Sequence, residues 1–218
     1  MPSAQYANLR RQLAALRLVL LPQKLDVNIS QLTPRLSIRA LSFRVLSHAE
    51  FENYLESRAT EISTTIDKAW RTRGFVTYPT LCMLGFSGME MKLPPESFEA
   101  PANKKQTDWS DMVNLDARLK RAITAYHYFV TQQNNGIKEQ NLVRMLIPLG
   151  FDIDKLDRLF VADLDNFGTL RGSAAHQSSA GHIQSGVHPR DEHAVVKRLL
   201  EGFLSVDTEL SRILRAAA

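Results

Sequence analysis

The chain has 218 residues, 44% of them hydrophobic and 8% aromatic, with a formal net charge of +4. Such a composition can bury a substantial core and excludes a disordered tail. No stretch of 18 uncharged apolar residues occurs, so neither a membrane span nor a secretory leader is expected.

A single cysteine, Cys82, cannot close an internal disulfide, which fits a reducing, cytoplasmic setting. Its place in "LCMLGF" reads as a buried structural thiol. Of the 27 basic residues 18 are arginine, the side chain best shaped for bidentate phosphate contacts, so the charge is compatible with a polyanion partner.

In chain order the periodicity is helical. Leu9, Leu13, Leu16 and Leu20 recur at three or four residues and predict a helix over 5–21, ended by Pro22. After the turn-rich "PQKLDVNISQLTPR", the longest candidate runs over 37–71. Leu41, Val45, Ala49, Tyr54, Leu55, Ala59, Ile62, Ile66 and Trp70 are its apolar positions, a kink or break is expected near 57–63, and Gly74 is the stop. A short helix near 80–86 is followed by an irregular insertion over 77–107, in which "MEMKL" alternates too briefly to make a sheet. A helix over 109–133 carries Met112, Leu115, Leu119, Ile123, Tyr126 and Val130 and stops at "NNG"; a short one follows over 138–146. A third long run over 154–175 places Leu156, Leu159, Phe160, Leu164, Phe167 and Leu170 together, and a last helix covers 192–215. The expected fold is an all-α helical bundle, one domain over 1–218, with a loop-rich insertion between the second and third long helices.

The familiar chemical signatures are missing. There is no CxxC, HExxH or EF-hand spacing, no phosphate-binding GxxxxGK[ST] loop, no GxSxG elbow and no dinucleotide fingerprint, so no metal or cofactor is expected. His176, His182 and His188 read as exposed loop residues rather than ligands. Arg44, His48 and Glu52 are spaced by four, share a face of the long second helix, and either line a cleft or form its solvated side. In "LDNFGTLRGSAAH", Arg171 and His176 lie five apart, about 140° around an ideal helix, so their convergence needs a distortion or a folded-back arginine. Histidine suits proton transfer near neutrality and arginine suits charge developing on a phosphoryl group; the alternative is a helix end where basic residues offset the macrodipole.

The segment "NNGIKEQNLVRMLIPLGFDID", then a helix, then "LRGSAAH" resembles the RiboL-PSP-HEPN branch of the HEPN superfamily, whose signature is an arginine and a histidine separated by four to six residues. "FRVLSHAEFENYLE" resembles the long early helix of that branch, and the likeness spans roughly 37–214 with 77–105 poorly matched. The resemblance implies a HEPN-like helical bundle and a metal-independent endoribonuclease. Its active site would be composed across a homodimer and would leave 2′,3′-cyclic phosphate and 5′-hydroxyl ends, as in toxins and phage-defence effectors. It implies Arg171 on the scissile phosphate, His176 as general acid or base, and small residues where two signature helices approach. Many members place a polar residue directly after the arginine, where this chain has Gly172; Ser173 offers a hydroxyl one position on. Arg44, His48 and Glu52 are expected at the cleft wall, RNA as substrate, and a neutralising or regulatory protein as a further partner. A non-catalytic RNA-binding or partner-binding module is the other expectation.

Overall fold

The fold is described from a computed structural model for residues 1–28, 32–88, 114–176 and 187–218, and for their side chains other than those of 174–176. The described residues form helices α1 (Ala4–Leu20), α2 (Pro34–Arg73), α3 (Tyr78–Gly85), α4 (Leu115–Tyr128), α5 (Glu139–Leu146), α6 (Arg158–His176) and α7 (Pro189–Ala217). A π-helical turn, Phe129–Gln133, extends α4, and 3-10 turns occur at Ile147–Leu149 and Ile153–Lys155. No strand occurs among the described residues, so the all-α expectation holds. The insertion beyond Gly88, "MEMKL" and Met112 with it, lies outside the described residues.

Local chemistry sets the helix ends. The Ser3 side chain caps α1, Thr33 caps α2 ahead of Pro34, and Thr77 and Thr80 close a capping box on α3. Gly74 ends α2 with φ 65°, the left-handed conformation that its missing Cβ permits. α6 begins later than its periodicity suggests, because Asp152 turns Ile153–Lys155 into a 3-10 turn and the Asp157 carboxylate accepts from the Leu159 N–H at 2.9 Å. Leu159 consequently lies in solvent, whereas Phe160, Leu164 and Phe167 turn inward.

At 40 residues α2 is unbroken, and no interruption occurs near Ser57 to Ser63. Its middle is held on both sides: Tyr54, Leu55, Ala59 and Ile62 are buried, and Ser63 Oγ folds back on the carbonyls of Ala59 and Thr60. α2 packs against α1, α4, α5, α6 and α7. Opposite it, α7 presents Val196, Leu199, Phe203, Val206, Leu210 and Ile213, alternately three and four apart, as one buried stripe. Phe203 is the hub: its ring stacks on Phe51 with centroids 4.7 Å apart and meets Tyr54 and Phe160 edge-on at 5.5 and 5.4 Å.

The N-terminal third of α2 buries a different face from the one its large aliphatics suggest. Leu41 and Val45 are only partly buried and Ala49 is exposed; the inward positions are Ala40, Phe43, Arg44, Ser47, His48 and Phe51. The solvated-side reading of Arg44 and His48 is therefore corrected, since they are 8% and 2% exposed. Cys82 is half-buried rather than buried, packed with Tyr78 beside Gly150.

Candidate functional site

The site is built where α6 crosses α2 and the "NNGIK" segment docks. The Asp165 carboxylate accepts from the Glu139 N–H at 2.7 Å, filling one of the bonding positions left open at the start of α5. One turn on, Gly168 receives the Lys138 stem, which lies so close that a Cβ at 168 would come within 2.8 Å of Lys138 Cγ. These two contacts fix the segment 138–139 on α6 just before Arg171. Gly136 and Ile137 are themselves buried.

From α2, His48 and Glu52 come to the same place. The His48 ring is parallel to that of Phe167, 24° between planes and 6.0 Å between centroids, and its Nδ1 has no hydrogen-bond partner. That nitrogen lies 3.7 Å from Glu52 Oε2, beyond hydrogen-bonding range. Burial, and then the positive charge of Arg171, push the imidazole down to about 4, so the ring is uncharged at neutral pH and the contact is not an ion pair. Glu52 is pushed up, first by burial and then by Glu56, while Arg171 pulls it back. Arg171, half-buried on α6, thus acts electrostatically on both α2 side chains.

Asn134 completes the cluster. Its amide donates to Glu56 Oε1 at 2.9 Å and, more weakly, to Glu52 Oε1 at 3.4 Å, and its carbonyl accepts from the Asn141 amide at 2.9 Å. One asparagine therefore bridges two carboxylates a turn apart on α2, offsetting part of their mutual repulsion.

The other expected residues are placed as follows. Arg44 shares the inward face of α2, but its guanidinium is held by Glu192 at the start of α7 in a buried two-pronged ion pair, with Nε donating to Oε2 at 2.8 Å. Ser173 Oγ donates to the Thr169 carbonyl at 3.2 Å, and among the described residues nothing lies within 4 Å of where a Gly172 side chain would begin. His176 is the last residue of α6; its side chain, and the segment 177–186 with His182, lie outside the described residues. α6 is continuous from Arg171 to His176, so no break in the helix brings the two onto one face. His188 is not a free loop residue: it caps α7 and its Nε2 lies 2.8 Å from the Val27 carbonyl oxygen.

Sequence reasoning missed Glu56, Asn134, Asn141 and Lys138. Glu56 continues the four-residue step of His48 and Glu52, so the same spacing would have found it. Asn134 reads as a helix stop, and nothing local signals that its amide reaches α2. Among the described residues no cluster of histidine, cysteine or carboxylate side chains is placed to hold a metal ion. No helix of the described residues is long and apolar enough to cross a membrane.

Fold and site together define an all-α helical bundle with a half-open polar cluster of two carboxylates, an uncharged histidine and an arginine at one helix crossing. Comparison of the chain with protein-family models, with curated proteins and with solved structures found no match.

Proposed function

We propose that the protein is a metal-independent endoribonuclease of the HEPN type, acting as a homodimer. The observation that carries the proposal is the position of Arg171: it stands one turn along the helix from Phe167, whose ring stacks on His48, on the helix that also bears His176 and receives the "NNGIK" segment. In the proposed reaction the 2′-hydroxyl of the RNA loses its proton and its oxygen attacks the adjacent phosphorus. The P–O5′ bond breaks, and the leaving 5′-oxygen takes a proton, giving 2′,3′-cyclic phosphate and 5′-hydroxyl ends. Arg171 stabilises the charge developing on the phosphoryl oxygens, and His176 is the proton-transfer group. The nucleophile comes from the substrate, so the scheme needs no metal-activated water. Two copies of the signature helix meet where Gly172 leaves space. The cellular role proposed is that of a toxin or phage-defence effector held in check by a protein partner.

RNA cleavage in EDTA tests this. Wild type yields cyclic-phosphate ends, and Arg171→Ala and His176→Ala each lower the rate at least a hundredfold, in the range typical of lost acid–base or charge-stabilising groups. Activity untouched by both substitutions refutes the site. The second reading, an RNA-binding or partner-binding module, is favoured by Gly172 after the arginine and by the Arg44 charge being taken up by Glu192. RNA retention without cleavage of any RNA would establish it instead.

A further inference from the structure

The hydrogen-bond chain from Asn141 through Asn134 reaches Glu56 at 2.9 Å and Glu52 at 3.4 Å, and Arg171 stands one turn along α6 from Phe167, whose ring stacks on His48. Asn134 and Asn141 are only part-buried, and Ile137 and Leu142 beside them already fill the core. The chain faces a polar atom that the fold leaves unserved, His48 Nδ1, buried and directed at Glu52. Three buried side-chain polar atoms among the described residues lack a partner, Ser47 Oγ, His48 Nδ1 and Arg58 Nε, and of these His48 Nδ1 is the one that this hydrogen-bond chain reaches.

We infer that Asn134 and Asn141 are positioning residues of the Arg171 site: in series they hold the Glu52 carboxylate beside His48, on the side of α2 that α6 crosses, where its charge acts on the Arg171 guanidinium. The catalytic use of this arrangement rests on the ribonuclease reading; the coupling of the four side chains does not. The titratable and charged groups around Glu52 are Glu56 and the uncharged His48 on its own helix and Arg171 on α6, with Lys138 lying over Gly168 three residues before Arg171.

An N–H donated to a carboxylate favours its charged form, as does a neighbouring cation. Removing the Asn134 amide or the Arg171 charge therefore raises the pH at which Glu52 titrates. The experiment is a 13C-carboxyl NMR titration of Glu52 in wild type, Asn134→Ala, Asn141→Ala, the double variant and Arg171→Ala, each checked for an unchanged melting temperature. The expected result is an upward shift in Arg171→Ala and Asn134→Ala, a smaller one in Asn141→Ala, and no increment from Asn141→Ala when Asn134 is already alanine. A Glu52 titration unmoved by Arg171→Ala or Asn134→Ala overturns the inference, as does full additivity of the two asparagine changes.

The same variants are then assayed on RNA. Asn134→Ala should lower kcat about tenfold with KM unchanged and carry the acid limb of the pH profile upward. If the titrations move as stated but wild type cleaves no RNA, the coupling stands and the ribonuclease reading fails. If RNA is cleaved and the asparagine variants keep the wild-type kcat and pH profile, the reading stands and the positioning role fails.

Discussion

Two charged clusters lie along α2, and they are finished differently. Toward its C-terminal half, Arg58 is 1% exposed and has Glu61, Ser211 and Asp207 around it, with its Nε 3.6 Å from Asp207 and, like His48 Nδ1, without a hydrogen-bond partner. The Asp207 carboxylate in turn accepts from Ser3 N–H at 2.7 Å, the Ser3 hydroxyl and the Tyr54 hydroxyl at 2.8 Å, and so ties α1, α2 and α7 together. One turn or more toward the N-terminus, the cluster around Glu52 holds an uncharged histidine, a carboxylate biased toward its neutral form and an arginine half in solvent. Charge buried to hold helices is matched by opposite charge and hydrogen bonds. Charge left unmatched at a helix crossing serves something the fold itself does not contain.

That contrast is most exposed to test by carboxylate substitutions. Asp207→Ala strands the Arg58 charge and removes the acceptor of Ser3 and Tyr54, and it should lower stability by about 3–5 kcal/mol in urea unfolding. Glu52→Gln should leave stability unchanged or raise it, because burial and Glu56 already disfavour the charged form there. Equal losses in the two variants would erase the distinction between the clusters.

A smaller effect is expected from acid. His48 titrates near 6.5 in the unfolded chain and at about 4 in the folded protein. The unfolded state therefore binds the proton first, and the stability from the uncharged ring, full above 6.5, is lost as pH falls toward 4. The shift corresponds to about 3 kcal/mol. Glu52 opposes it, since a raised carboxylate takes up its proton sooner when folded. His48→Phe keeps the stack on Phe167 and cannot be protonated, so its stability should fall less than that of wild type between pH 7 and pH 4. Parallel pH curves for the two proteins would mean that His48 is not held uncharged.

The helix boundaries were legible because their signals are local: Pro22, Gly74, the turn after α4 and the glycine at 150 stand where helices stop. The inward face of early α2 was not legible, because it includes Arg44 and His48, whose partners Glu192 and Phe167 lie more than 100 residues away. Hydrophobic periodicity ranks Leu41 and Val45 above them, and only tertiary pairing reverses the order. Arg171 was visible through its spacing to His176, but its α2 neighbours were visible only as a separate constellation. The link between the two sets is the crossing of α6 on α2, which no local pattern encodes. Asn134 is harder still, since the same residue that ends a helix by its backbone joins two carboxylates by its side chain.

The smallest predicted effects come from two glycines, one in each kind of surroundings. At Gly202, on the closed face of α7, a Cβ would sit 2.1 Å from the buried Phe160 ring, so Gly202→Ala must displace an aromatic side chain that itself packs on Phe203. Overpacking of this kind costs about 1–3 kcal/mol, partly offset by the better helix propensity of alanine. At Gly172, on α6 beside Arg171, a Cβ meets nothing within 4 Å among the described residues, and only the propensity gain remains. Gly172→Ala should raise stability by about 0.5–1 kcal/mol, read as a higher melting temperature in the isolated protomer. If two copies of α6 approach each other at this position, the same methyl group must separate them, and RNA cleavage and dimer affinity should fall together while the protomer becomes more stable. A Gly172→Ala protein that is more stable and equally active would place the meeting of the two copies elsewhere on the surface.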